Sequence, residues 1–269
     1  MKHRERMFSF AISALALATP AWAQEDQAAE LAKKLSNPLA ALISVPLQYN
    51  LDDYGGANDG ASVNRLDIKP VIPFSLNKDW NLISRTIIPL IDQRDFPSAA
   101  MNESGLGDIN ASLFFSPKSP TAGGWIWGVG PVFLLPTATQ DVLGAEKWGI
   151  GPTGVVLKQA GPWTVGILAN HVWAGGGDDS RSSISATFLQ PFLSYTTQTQ
   201  TTFSMNTEST YDWKGKQWQV PLNFAVAQLF KVGTQLLQVQ AGARYWADSP
   251  DNGPEGWGLR VQLTLLFPK

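Results

Sequence analysis

The chain contains no cysteine. That excludes disulfides, thiolate metal sites and a cysteine nucleophile, and it suits an exported bacterial protein. Histidine is nearly as scarce: His3 lies among the first few residues, and His171 stands alone in the remainder. A multi-histidine metal site is therefore excluded, and one side chain is left as a candidate base near neutral pH. No uninterrupted apolar run approaches the length a membrane-spanning helix needs, about 18 residues or more. Strong charge of either sign is also lacking. The formal net charge is −2 and there is no basic run, which argues against a nucleic-acid partner.

What is present begins with a leader. Lys2, Arg4 and Arg6 precede a short apolar run, Met7 to Ala18, and Ala21-Trp22-Ala23 supplies a small-x-small cleavage pattern. Residues 1–23 therefore read as a signal peptide, with Gln24 opening the mature chain. The apolar run is too short to serve as an anchor. The remaining 246 residues carry 17 basic and 21 acidic side chains, a net charge of −4. Without spanning helices, such a chain can cross a membrane only as a closed barrel, because open sheet edges cannot be left in lipid.

The last stretch, Gly256 to Phe267, shows the pattern that a barrel requires. Trp257, Leu259, Val261, Leu263, Leu265 and Phe267 alternate with Gly258, Arg260, Gln262, Thr264 and Leu266. Side chains of a strand point alternately to opposite faces, so one face is greasy and the other polar in its middle. Apolar-out, polar-in strands of this length build membrane barrels around a wet interior. From Ser44 onward twelve strand-like segments can be counted: 44–54, 64–76, 80–92, 106–117, 124–137, 148–158, 162–174, 183–196, 200–211, 216–229, 235–247 and 256–267. Short connections such as 77–79, 158–161, 197–199 and 230–234 alternate with longer, Gly-, Asp- and Ser-rich ones. That asymmetry is the layout of an outer-membrane barrel and has no counterpart in a soluble sandwich. The expected fold is all-β: an antiparallel transmembrane β-barrel of about twelve strands over residues 44–269, preceded by a short N-terminal helical segment.

Tryptophan gives independent support. Trp80, Trp125, Trp127 and Trp163 follow short turns, whereas Trp148, Trp173, Trp218, Trp246 and Trp257 lie beside longer loops. Indole prefers the membrane–water interface, so two bands at the strand ends read as aromatic girdles. Six prolines inside the pattern (Pro70, Pro73, Pro89, Pro131, Pro191 and Pro221) are expected to mark bulges or irregular registry. Residues 24–43 form the N-terminal segment, where Ala28, Leu31, Ala32, Leu35, Leu39, Leu42 and Ile43 recur at helical spacing;. Asn37-Pro38 suits a break and restart of the helix, with Asn as N-cap and Pro at the first helical position. Two placements remain open: resting against the barrel mouth, or entering the lumen as a plug.

Five stretches together resemble a known family. They are NPLAALISVPLQYNLD (37–52), IKPVIPFSLNKDWNLISRTIIPLI (68–91), GPVFLLPTAT (130–139), KWGIGPTGVVL (147–157) and WGLRVQLTLLFP (257–268). The chain is similar through them to the Gram-negative outer-membrane proteins labelled "MetA-pathway of phenol degradation", some of which carry the misleading label neuromedin U. The resemblance implies an outer-membrane location and passage of small hydrophobic or aromatic compounds; no residue-level site comes with it. The closing strand resembles the assembly signal of outer-membrane barrels, which implies the assembly machinery as a partner beside outer-membrane lipid and lipopolysaccharide. Here Pro268-Lys269 follow the terminal aromatic.

Candidate chemistry is sparse. Gly149-Ile150-Gly151-Pro152-Thr153-Gly154 matches GxGxxG, but Val155-Val156-Leu157 continues as strand where a phosphate site needs a helix;. A lipid hydrolase resembling outer-membrane phospholipase A would place a serine two residues after the histidine; His171 is followed there by Trp173. Acidic residues assigned to loops (Asp52, Asp53, Asp178, Asp179, Asp248, Asp251 and Glu255) could hold divalent cations near lipopolysaccharide, yet none has EF-hand spacing;. No catalytic, metal or cofactor site is expected. The side chains expected to matter are the lumen charges Asp67, Lys69, Arg85, Asp108, Glu208, Arg244 and Arg260, which would either pair with one another or meet a passing solute. The function so implied is an outer-membrane channel for small solutes, with a lipid hydrolase or a sealed structural barrel as alternatives.

Overall fold

The computed structural model describes residues 21–54 and 60–267, with side chains from Ala28 onward. The expected leader therefore lies almost wholly outside the described residues. A helix, α1 (Ala21–Leu35), is followed by twelve wall strands. They are β1 (Ile43–Asp53), β2 (Ser62–Ile68 with Val71–Ser75), β3 (Trp80–Arg94), β4 (Glu103–Leu106 with Ile109–Pro117), β5 (Trp125–Leu135) and β6 (Lys147–Ala160). The second half comprises β7 (Trp163–Gly177), β8 (Ser185–Thr196), β9 (Thr201–Thr207 with Ser209–Asp212), β10 (Gln217–Val232), β11 (Gln235–Asp248) and β12 (Gly256–Phe267).

Each strand pairs antiparallel with its sequence neighbour, and β1 pairs with β12 from Ile43↔Phe267 to Leu51↔Leu259. The sheet is therefore a closed antiparallel barrel, and no edge is left for lipid to solvate. Both chain ends of the wall meet at one rim. Among the described residues no helix is long and apolar enough to cross a membrane.

The pleat sorts the residues as the sequence pattern suggested. On β12, Trp257, Leu259, Val261, Leu263 and Phe267 face outward and exposed, whereas Arg260, Thr264 and Leu266 are buried inward. Phe224, Val226, Val239, Phe115, Ile167 and Val165 extend the outward belt around the wall. A soluble monomer would not leave so continuous an apolar surface exposed; lipid covers it here.

Aromatic bands cap both ends of the belt. Trp80 packs edge-on against Trp127, and Trp163 against Tyr195, at the rim holding the termini. Tyr211 with Trp218, and Tyr245 with Trp257, stand at the other. Trp125, Trp148 and Trp173 are outward and about half exposed. Trp246 departs from the expected girdle: it faces inward on β11 and donates its Nε1–H to Asp52 Oδ1 at 2.9 Å. A buried carboxylate beside the strand end offers the indole a stronger partner than the interface does.

Three of the six prolines sit at irregularities. Pro70 lies in the interruption of β2, Pro221 adjoins a register shift, and the Pro89 carbonyl accepts the Gly107 amide at the interruption of β4. Pro73, Pro131 and Pro191 keep regular register, contrary to the expectation. Each removes one donor only, and strands paired on both sides hold the ladder around it.

The GxGxxG run is wall, within β6. A side-chain carbon at Gly151 would overlap the His171 carbonyl on β7, and one at Gly149 would meet Val172 and Leu134. Glycine is used for close strand approach at a register shift between Trp148 and Gly149;. Gly151→Ala is expected to lower stability by about 1–3 kcal/mol, read as the urea midpoint of the detergent-folded barrel. An unchanged midpoint would show that the strands separate freely.

Candidate functional site

The N-terminal segment occupies the lumen at the rim where the termini lie. The last turn of α1 closes through Ser36 and Asn37 amides donating to the Lys33 and Lys34 carbonyls. Asn37 Oδ1 then accepts the Leu39 amide at 2.8 Å. This is a cap, but a single turn follows it, because β1 opens at Ile43, six residues later, and leaves no room for the expected second helix;.

Two apolar anchors fix the segment. Ala32 is fully buried with Leu42 against Leu229 and Leu266, with Leu31, Leu35 and Leu236 packed around them. Leu39 reaches across to Ile83, Phe114, Val155, Leu157 and Leu168 on β3, β4, β6 and β7. A side chain at Gly128 would strike Leu39. Gln159 Nε2 additionally donates to the Lys33 carbonyl at 3.0 Å. The segment's side chains thus contact inward-facing residues of the wall.

A charged layer lies further along the lumen. The centre is Glu208, in the interruption of β9, where the chain leaves the ladder and its carboxylate turns inward. Arg260 grips it with two nitrogens, at 3.2 and 2.7 Å, and its Nε donates to Asn50 Oδ1 at 2.7 Å. Arg244 divides its donors among Glu208 (3.2 Å), Asp52 (2.7 Å) and Asn223 (3.1 Å), and lies over the Trp246 ring. Forked guanidinium contacts of this kind are both directional and strong.

Between this layer and the segment is a cavity of about 240 Å³. Lys69, Arg85, Arg260 and Glu208 line it with neutral polar side chains such as Gln48, Gln190 and Gln262, and Val71, Leu168 and Phe192 contribute apolar wall. Asp67 nearby takes Arg65 at 2.6 Å and stands 3.6 Å from Lys69.

Six of the seven expected lumen charges thus share one region. Asp108 is apart: its carboxylate accepts the Ala138 and Ala145 amides at 3.2 and 2.7 Å, tying down the loop after β5. Asp52, Asn50 and Asn223 were missed as site residues. Asp52 was assigned to a loop, yet it is buried on β1 and paired with Arg244. The signal was available, since Gln48, Asn50 and Asp52 alternate as inward positions along β1. Among the other loop acids, Asp178 is bonded by the Ser180 hydroxyl and amide, which hold its carboxyl below the usual range. Among the described residues no cluster of potential metal ligands forms.

His171 is on the outer face. Its Nδ1 shares a 2.7 Å hydrogen bond with Thr187 Oγ1, and Ser185 Oγ lies 3.4 Å from Nε2. The Thr187 hydroxyl also accepts Trp213 Nε1–H at 2.8 Å. Folding thus brings a serine to the histidine from the neighbouring strand, which the missing His-x-Ser spacing did not reveal. A hydroxyl replaces the carboxylate or amide that would orient a catalytic imidazole.

No protein-family model and no curated protein matches the chain. Solved structures do. An outer membrane channel from Pseudomonas putida F1 is similar with a TM-score of 0.65 at 17% identity, over 84% of this chain and 94% of that one. The NanC porin is similar with a TM-score of 0.51 at 12% identity, over 84% of this chain and 100% of that one. At such identities the likeness is one of fold: the chain has the closed barrel of Gram-negative outer-membrane proteins.

Proposed function

We propose that the protein is an outer-membrane channel that passes small hydrophobic or aromatic solutes, with residues 28–42 as a plug at the periplasmic end. The observation carrying this reading is the lumen itself. An inserted segment and a charged layer enclose a cavity inside a lipid-belted wall. A sealed structural barrel has no need of a chain segment that enters from one end, and a barrel of this strand number has room for a narrow or plugged pore. The fold it shares with an outer membrane channel and a porin, and the family resembled by its sequence, support the same reading. Lipopolysaccharide at the long-loop rim and the assembly machinery at β12 are the partners that go with it.

The test is solute entry into liposomes holding the purified protein, compared between small aromatic solutes and sugars of similar size. Faster entry of the aromatic solutes is expected. No entry of any solute, together with no conductance in planar bilayers, would sink the channel reading.

The hydrolase alternative rests on His171 and Ser185. Because a hydroxyl shared with Trp213 is a weak orienter, His171→Ala is expected to leave liposome phospholipid as intact as the unaltered protein does. Fatty-acid release by the unaltered protein that disappears in His171→Ala would make the barrel an enzyme.

A further inference from the structure

The ion pairs of the lumen leave one cation, Arg85, without a contact and a second, Lys69, with only a long one. Glu208 is taken by Arg260 and Arg244, Asp52 by Arg244, and Asp67 most closely by Arg65. Arg85 enters none of the ion pairs or side-chain hydrogen bonds formed among the described residues. It faces inward on β3, opposite Val71 on one side and Ser112 on the other. Lys69, nine-tenths buried, reaches Asp67 only at 3.6 Å, behind the shorter contact from Arg65. Both line the 240 Å³ cavity, and Lys34 of the inserted segment stands at its edge.

Arg85 is attracted by the Glu208 and Asp67 carboxylates but touches neither, and an enclosed cation with no contacting partner is unfavourable unless something neutralises it. The rest of the lining is mixed: Val71, Leu168 and Phe192, with Leu42 of the segment and Ala227, give it an apolar part, among neutral polar side chains such as Gln48, Gln190 and Gln262. Cations together with an apolar part of the same lining match an amphiphilic acid. A carboxylate would accept from the Arg85 fork and the Lys69 ammonium, and an aromatic or short aliphatic body would cover Phe192 and Leu168. The volume is below the roughly 300 Å³ lower bound of drug-sized pockets, which restricts the body to about one ring.

We propose that this cavity is a binding station for small organic monocarboxylates, with Arg85 and Lys69 holding the carboxylate. The proposal deepens the channel reading and names its solute class; a neutral aromatic would leave Arg85 without a contacting partner.

Benzoate and benzyl alcohol are the probes, titrated by calorimetry into the full-length protein in detergent and into empty micelles as a blank. Benzoate is expected to bind saturably and benzyl alcohol no more than the blank. Arg85→Gln is expected to weaken benzoate about tenfold or more, the scale of one charge-assisted contact, and Arg85→Lys to restore part of it. Lys69→Gln should weaken it as well. Heat-modifiable migration on gels confirms that each variant is folded. Equal heats for benzoate and benzyl alcohol, or benzoate binding unaffected by Arg85→Gln and Lys69→Gln, would overturn the proposal. So would chloride competing with benzoate mole for mole, since the apolar wall would then contribute nothing. Binding in detergent needs no transport. Benzoate binding without conductance would remove the channel and keep the site; conductance without benzoate binding would do the reverse.

Discussion

Protein lacking residues 24–42 is expected to conduct in planar bilayers with clearly larger steps than the full-length chain. The segment is held by burial and not by the wall's own ladder: Ala32, Leu39 and Leu42 fill the inner surface near one rim, and Gln159 adds one hydrogen bond. The β1–β12 pairing starts at Ile43, after the segment ends, so the barrel closes without it. A point change should work in the same direction. Leu39→Asp would place a carboxylate among Ile83, Phe114, Val155, Leu157 and Leu168. Burying an unpaired charge there would be unfavourable by several kcal/mol, more than the segment's anchors restore, and the chain would leave the lumen. The readout is single-channel step size together with protease cleavage near Asn37, which should appear only in Leu39→Asp. Equal step sizes for the full-length, truncated and Leu39→Asp proteins would show that the segment does not limit passage.

Glu208→Gln is expected to have the largest effect on stability. One carboxylate there answers two guanidinium groups, through contacts of 2.7 and 3.2 Å from Arg260 and 3.2 Å from Arg244. The amide retains one acceptor and loses the charge, leaving Arg260 beside Arg244, Lys69 and Arg85 with no carboxylate of its own. Breaking a buried pair by removing one partner typically destabilises by about 3–5 kcal/mol. Water in the adjoining cavity lowers that, so about 2–4 kcal/mol is expected, as a shift in the urea midpoint. Selectivity should move with it. Removing the central negative charge makes the lumen more positive, and the reversal potential in a salt gradient should shift toward anions. Glu208→Asp keeps the charge and should restore selectivity more fully than stability, because the shorter side chain cannot keep both forks. A Glu208→Gln barrel with unaltered midpoint and reversal potential would mean that the arginines are neutralised elsewhere.

Strand positions were readable because their cause is local. Alternation in Gly256–Phe267 and its repeats follows from the pleat, and each of the twelve segments expected from it coincides with a wall strand within a few residues. Outward tryptophans followed for the same reason, since Trp148, Trp173 and Trp257 each sit on the apolar parity of their own strand. Trp246 failed that rule because its inward place depends on Asp52, 194 residues away. Asp108 is expected from the pattern as a lumen charge, but its carboxylate holds the 138–145 loop, which no period along β4 encodes.

By itself, then, the sequence determined an all-β wall, the parity of its faces, the aromatic bands and a pool of inward charges. Tertiary structure alone decided who meets whom. Arg244 finds Asp52 across 192 positions, Arg260 finds Asn50 across 210, and Leu39 finds a patch made by four strands. The physical reason is closure. Once β1 and β12 pair, the accumulated register of the intervening strands fixes the height of every inward side chain around the lumen. A one-residue slip anywhere would carry an entire strand's set to the other face. The period of two is written in each strand, whereas the register that leaves Arg85 and Lys69 facing an open cavity belongs to the closed barrel.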